Sequence, residues 1–276
     1  MGSFADFYEI FFERLAVCRS FFLENGSFFV PEMSFEEKYP EHVAIIMDGN
    51  RRWARKHGLR PVEGHRAGMK SIRLLFPICE EFGIKVLTLY AFSQENWMRP
   101  KVETTFLMTL LIEFLDQQIA HIFEKNIRLL MIGNMEDLPF LVRQKLKKAI
   151  QRTSSNAGMK VVLAINYGGR QDILQAVNRI YKNIEKGLIP KSSINNELIS
   201  RYLYTRDMPN PDFLIRTSGE KRLSNFLLWQ SIESEIYLTK TLWPDFGQDD
   251  FREAINKYLD RKKQGKIYAC IEKKIP

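Results

Sequence analysis

The feature that most constrains this chain is a regular alternation that begins near residue 41. Short, almost uninterrupted apolar runs are each followed by a longer stretch with helical spacing. Runs at 43–47, 85–92, 127–132, 160–165 and 213–215 have the length and composition of strands, and a sixth is expected at 235–238. Helical sequence fills the interval to about residue 82, then 103–124, 138–153, 170–186 and 194–204, with a closing helix at 248–263. Strands that are apolar at nearly every position are buried on both faces. Their alternation with helices predicts an α/β fold, a parallel-type central sheet flanked by helices, formed by residues 41–276 as a single domain. The 276 residues, 45% of them hydrophobic, suffice for such a core. The apolar strand runs are far shorter than a bilayer span.

Residues 1–40 read as an extension. They are rich in Phe, as in Phe11-Phe12, Phe21-Phe22 and Phe28-Phe29. Asp6, Glu9, Glu13 and Arg14 interrupt the apolar stretch that a secretory signal needs. The pattern predicts an amphipathic helix over about 4–23, stopped at Asn25-Gly26. Packing against protein is the default for its apolar face, and peripheral contact with a membrane surface is the alternative.

Three well-separated cysteines, Cys18, Cys79 and Cys270, make neither a disulfide framework nor a zinc site, and they fit an intracellular, soluble protein. The net charge of +8 favours an anionic partner, and charge alone does not choose among nucleic acid, membrane and phosphorylated small molecules. A nucleic-acid protein needs a basic surface with exposed aromatic residues. The aromatics here fall mainly in apolar runs, so no nucleic-acid partner is expected.

In parallel sheets, ligands sit beyond the carboxyl ends of the strands. The segments that follow the predicted strands are Asp48-Gly49-Asn50-Arg51-Arg52, Ser93-Gln94-Glu95-Asn96-Trp97-Met98-Arg99-Pro100, Asn166-Tyr167-Gly168-Gly169-Arg170 and a loop from Arg216 to Asn225. Asp48 offers a carboxylate for Mg²⁺ beside the N–H groups of a helix start, and Arg52 adds a fork of donors for phosphate. Taken alone, the same residues also fit a helix cap with solvated arginines. Arg216 and Arg222, with Ser218 and Ser224 around Gly219, suit a diphosphate better than a surface loop. His65 could donate a hydrogen bond to a phosphate or shuttle a proton near neutral pH, and taken alone it fits a structural residue equally. There is no P-loop lysine motif, no dinucleotide fingerprint and no nucleophile elbow.

Taken together, these segments resemble the cis-prenyltransferase family, the Z-type polyprenyl diphosphate synthases. The resemblance runs from about His42 to Lys263. It rests on the block from His42 through Met47-Asp48-Gly49-Asn50, on Gly64-His65-Arg66-Ala67-Gly68 and on Leu89-Tyr90-Ala91-Phe92-Ser93. It continues through Glu95-Asn96-Trp97, Asn166-Tyr167-Gly168-Gly169-Arg170, Arg216-Thr217-Ser218-Gly219-Glu220, the block from Arg222 to Gln230, and Trp243-Pro244-Asp245-Phe246. The resemblance implies an Mg²⁺-dependent prenyltransferase that condenses isoprenoid diphosphates through an allylic carbocation, in a homodimer. Asp48 is then the Mg²⁺-linked carboxylate, and Gly49, Asn50, Arg51 and Arg52 cradle the allylic diphosphate. His65 assists there. Arg216, Arg222 and Ser224 hold the second diphosphate. Glu235 is a further metal-handling carboxylate, and Ser93, Asn96, Trp97, Arg99 and Glu103 form the segment beside the site. Non-catalytic lipid- or phosphate-binding subunits of the wider family lose the Asp and Arg motifs that are kept here.

Several positions depart from the family pattern. Arg51 stands where many members have a small residue, Pro61 where an arginine is frequent, and Glu233 where an aromatic is usual. The chain is similar to the plant short-chain group, which includes plastid enzymes and a lavandulyl type that joins two dimethylallyl diphosphates head-to-middle. Dimethylallyl diphosphate, isopentenyl diphosphate or both are the implied substrates, and a C10 to C15 diphosphate is the expected product. Phe76, with Leu75, either plugs the hydrophobic tunnel or packs in the core. Phe106, Leu110 and Phe114 likewise suit a cavity lining or an ordinary core face.

Overall fold

Six strands form one sheet in the computed structural model, which describes residues 38–272. They are β1 (His42–Ile46), β2 (Val86–Ser93), β3 (Arg128–Ile132), β4 (Lys160–Tyr167), β5 (Phe213–Arg216) and β6 (Glu235–Leu238). Every pairing is parallel, and the order is β3-β4-β2-β1-β5-β6. The helices are α1 (Asn50–Lys56), α2 (Pro61–Glu81), α3 (Lys101–Glu124), α4 (Phe140–Arg152), α5 (Gly169–Glu185), α6 (Asn196–Tyr202) and α7 (Gln248–Glu272). The predicted α/β architecture is therefore the one observed. The expected amphipathic helix over 4–23 lies outside the described residues.

Alternate residues of each strand feed opposite faces, because successive side chains point to opposite sides of the pleat. Val43 and Ile45 join a large core with Leu75, Phe76, Leu111, Phe114, Phe246 and Phe251. Ala44 and Ile46 join a smaller core with Val162, Tyr167, Leu214 and Phe226. Both cores hold fully buried side chains, so β1, β4 and β5 present no solvent-exposed face. By length and composition α3 could cross a membrane, but Met108, Leu111, Phe114 and Leu115 turn into the core. Cys79 is buried and has no disulfide partner among the described residues.

One expectation is corrected here. The stretch after β1 is not one helix to residue 82. It breaks between α1 and α2, where Gly58 takes a left-handed φ of 66° and Pro61 starts α2. The two helices then cross closely. A side chain at Gly64 would collide with the Asn50 carbonyl and Ala54, and one at Gly68 with Asn50 and Trp243. The Gly64-to-Gly68 spacing thus sets the depth at which α2 lies on α1 and fixes Asn50 beside β1.

The chain leaves β1 on one side to form β2 and returns on the other as β5. That reversal opens a crevice beyond the carboxyl ends of β1, β2 and β5.

Candidate active site

The crevice is a cavity of about 450 Å³. One end is polar, formed by Asp48, Asn50, Arg51, Arg52, Arg55, His65, Arg99, Glu220 and Arg222. The other is apolar, formed by Met69, Ile72, Leu107, Leu110, Leu111 and Phe114. Five guanidinium groups face two carboxylates in that lining, so the polar end attracts an anion. A site with a cationic mouth and a greasy interior fits an anionic amphiphile.

Asp48 sits just past β1. Its backbone N–H donates to Thr217 Oγ1 at 2.9 Å, and its carbonyl accepts from Thr217 and from the Trp243 N–H at 2.6 and 3.0 Å. These contacts tie the β1 end to the β5 end. The Asp48 side chain does not cap α1. Gly49 occupies the cap position with φ of 110°, and no side chain caps that helix. The carboxylate is instead held at Oδ2 by Arg216 at 2.8 Å, with Arg52 at 3.7 Å from Oδ1.

Arg216 is 3% exposed and bridges three groups. It donates to Asp48, to Ser224 Oγ at 2.8 Å and to the Arg222 carbonyl. One planar fork therefore sets the geometry of Asp48 and of the 222–224 loop together. Arg52 donates to the Ser218 carbonyl at 3.0 Å and to its hydroxyl at 2.5 Å, and lies 3.2 Å from Glu220. Glu220 also pairs with Arg222. Sequence reasoning missed Glu220, Arg55 and Tyr90 as cleft residues. Glu220 lies in a strand-end segment already singled out, and Arg55 is one helical turn from Arg51, so both were within reach.

The second wall carries His65, Arg99 and Glu103. His65 Nε2 is 3.7 Å from Glu103 Oε1 and has no hydrogen-bond partner, while Arg99 binds the same oxygen at 3.0 Å. Burial, reinforced by the Arg99 and Arg51 charges, pushes the His65 pKa down to about 4 against the pull of Glu103. This corrects the expectation of a group titrating near neutral pH: in this cleft His65 is neutral at pH 7. Ser93 and Asn96 close a capping box, in which Asn96 Oδ1 accepts from the Ser93 N–H at 3.1 Å. Trp97 is pinned by Nε1 donation to Asn166 Oδ1 at 2.8 Å. Asn96 and Arg99 line the cleft, and Ser93, Trp97 and Glu103 brace it from behind.

Two predicted residues stand apart. Glu235 opens β6, whereas Asp48 follows the far end of β1, and the register sets Glu235 beside Phe213, three residues before Arg216. That is about 10 Å down the strand. Within its own chain Glu235 pairs with Arg261 at 3.5 Å, away from Asp48. Phe76 is buried in the core one turn beyond Ile72 and lines a separate cavity of about 340 Å³. Leu110 and Phe114 do line the cleft. Phe106 lies instead under the Arg66 guanidinium, 5.5 Å from the ring centre. Arg60, beside Pro61, pairs with Glu63 at 3.2 Å and is not a cleft residue.

Among the described residues no three His, Cys, Asp or Glu side chains converge as a metal cage. Mg²⁺ does not need one, since it is held by one or two carboxylates together with substrate phosphates and water. Asp48 and Glu220, each paired with Arg52, are the carboxylates of the cleft lining that could hold it together with a substrate phosphate.

A family model described as putative undecaprenyl diphosphate synthase matches residues 46–265. An isoprenyl transferase of Heliobacterium mobile is 48% identical over 82% of this chain and 87% of its own length. The isoprenyl transferase of Bacillus subtilis is 46% identical over 80% of this chain and 85% of its own. Among solved structures, lavandulyl diphosphate synthase from Lavandula x intermedia, in complex with dimethylallyl diphosphate, superposes with a TM-score of 0.78 at 36% identity, covering 80% of this chain and 95% of that one. A probable undecaprenyl diphosphate synthase from Campylobacter jejuni gives 0.67 at 35% identity, with the same coverages.

Proposed function

Because the chain belongs to the undecaprenyl diphosphate synthase family of cis-prenyltransferases, we propose that it joins an allylic diphosphate to isopentenyl diphosphate in this cleft, with Mg²⁺ at Asp48 and a short C10 to C15 diphosphate as product. The observation that carries the reading is the Asp48 carboxylate, held from behind by the buried Arg216, in a cleft whose lining joins five arginines to an apolar wall. Residues 41–276 carry the activity, with 1–40 as an extension.

In this reading Gly49, Asn50, Arg51 and Arg52 receive the allylic diphosphate at the uncapped start of α1. Arg216, Arg222 and Ser224 receive the second diphosphate. When the allylic C–O bond breaks, its electron pair leaves with the diphosphate. The fixed guanidinium groups stabilise that departing charge most at the transition state. Asp48 would hold Mg²⁺ at this mouth, and the ion would supply further positive charge to the departing diphosphate. The π bond of the second substrate then attacks the allylic carbon, and a proton leaves to restore a double bond. The apolar end of the cleft keeps water from the cation. His65, neutral in the empty cleft, gains a proton more readily once a diphosphate enters, because anionic charge opposes the effect of burial. A metal role for Glu235 requires a second protomer, since its own chain places it elsewhere. The edge strand β6 exposes Ile236 and Leu238, next to exposed Ile232, which supports a homodimer. Sedimentation at the mass of one protomer would count against that assembly.

The short product is supported by the cleft's end. Its lining on α2 stops at Ile72, and Phe76 fills the next turn, about 6 Å further on. A second reading, head-to-middle coupling of two dimethylallyl diphosphates, draws support from the likeness to the lavandulyl enzyme. The similar curated enzymes are bacterial and lend no support to a plastid location. The test of the site is Asp48→Ala, which is expected to abolish turnover while the protein stays folded. A folded variant with near-normal kcat would refute the assignment.

A further inference from the structure

A groove of about 460 Å³ runs between α2 and α3 on the outer side of the cleft wall. Met69, Leu110 and Phe114 line both spaces, so a single layer of side chains separates the groove from the cleft. Arg66, Lys70 and Arg73 stand on successive turns of α2 at its rim, facing Glu113 on α3. Arg66 is engaged by Glu113 at 3.5 Å and by the Phe106 ring. Lys70 and Arg73 have no ion-pair partner among the described residues. Three cations against one carboxylate leave the groove with two net positive charges. Gln118 also lines the groove. It is 4% exposed, and its Oε1 has no hydrogen-bond partner. An unpaired buried acceptor is unfavourable; the anion itself cannot donate to it, but a water brought in with a bound head group can.

The groove is apolar on its inner wall and cationic at its rim. That combination fits an amphiphilic anion. We propose that it is a second binding site for an isoprenoid diphosphate, the product class of the neighbouring cleft. The proposal rests on the prenyl-transfer reading given above. The diphosphate lies between Lys70 and Arg73, and the tail lies against Met69, Leu110 and Phe114. An occupant supports those three side chains from outside, so they yield less to a tail inside the cleft. Product thereby slows its own formation.

The probe is farnesyl S-thiolodiphosphate, whose carbon–sulfur link resists cleavage, titrated into the intact enzyme. Two binding events per protomer are expected. Lys70→Glu with Arg73→Glu, both on exposed residues, should weaken the second event by more than about tenfold while sparing the first. The same variant should keep the initial rate and lose inhibition by added product. A single event in the unmutated enzyme, or a second event unchanged in the double variant, would overturn the proposal. So would inorganic diphosphate competing as well as the probe, because the apolar wall would then contribute nothing. Stronger competition by phosphatidylglycerol vesicles would assign the groove to a membrane surface instead. Loss of the weaker event touches the groove alone, whereas absence of both events would refute the active-site reading as well.

Discussion

Arg216→Lys isolates the fork from the charge. The arginine serves three acceptors from one strand end: the Asp48 carboxylate, the Ser224 hydroxyl and the Arg222 carbonyl. A lysine ammonium keeps the positive charge but is a compact point on a flexible stem and lacks the planar fork. At least two of the three contacts are lost or bent. Hydrogen bonds to charged groups contribute roughly 1.5 to 3 kcal/mol each. Asp48 is 30% exposed, so water recovers part of that loss and the lower end applies. The expected effect is about 3 kcal/mol, or on the order of a hundredfold in kcat/KM. Initial rates with isopentenyl diphosphate varied at saturating allylic substrate measure it, and thermal unfolding checks the fold. Lys147→Ala serves as the control, because that residue is 63% exposed and its nearest carboxylate is 3.8 Å away. A folded Arg216→Lys enzyme with the kinetics of the control would show that the fork organises nothing the reaction needs.

Two further expectations follow from buried groups. Phe76→Ala should lengthen the products and cost roughly 3 to 5 kcal/mol of stability, with Phe76→Leu showing the same trend more mildly; chromatographic patterns unchanged in both variants would end the plug reading. His42 is fully buried, with Nδ1–H donating to the Pro209 carbonyl at 2.8 Å and Nε2 accepting from Thr88 at 2.7 Å, and burial pushes its pKa down to about 4. The unfolded chain therefore takes up that proton first as pH falls below about 6.5, and the native state loses stability until about pH 4. From pH 7 to pH 5 this amounts to about 2 kcal/mol. Urea unfolding of His42→Gln should show a correspondingly flatter pH dependence, and an identical slope would contradict the assignment.

Strand-end chemistry was legible in the sequence because the apolar runs 43–47 and 213–215 mark their own ends. In a parallel sheet those ends face one crevice, which is how Asp48 and Arg216 could be assigned to one site from 168 residues apart; that they pair directly is seen only in the structure. Glu235 shows the limit of that logic. It opens a strand and so faces the opposite end of the sheet, which only the register with Phe213 reveals. The break between α1 and α2 was signalled by Gly58 and Pro61, but the apolar spacing continued across it. The state of His65 was not legible at all. It depends on burial and on Arg99 and Arg51, brought together by three separate elements. The face of α3 also divides in a way that spacing cannot show: Leu110 and Phe114 line the cleft, while Phe106, at the same helical interval, lies under Arg66.

Product analysis tests the central claim most directly. The enzyme is incubated with Mg²⁺ and dimethylallyl diphosphate, with and without labelled isopentenyl diphosphate, and the dephosphorylated products are separated by chain length. Labelled C10 to C15 prenols that require both substrates and vanish in Asp48→Ala are the predicted result. A product from dimethylallyl diphosphate alone would favour head-to-middle coupling. Long polyprenols would contradict the short-chain reading, and the absence of any Mg²⁺-dependent prenyl product would contradict the account as a whole.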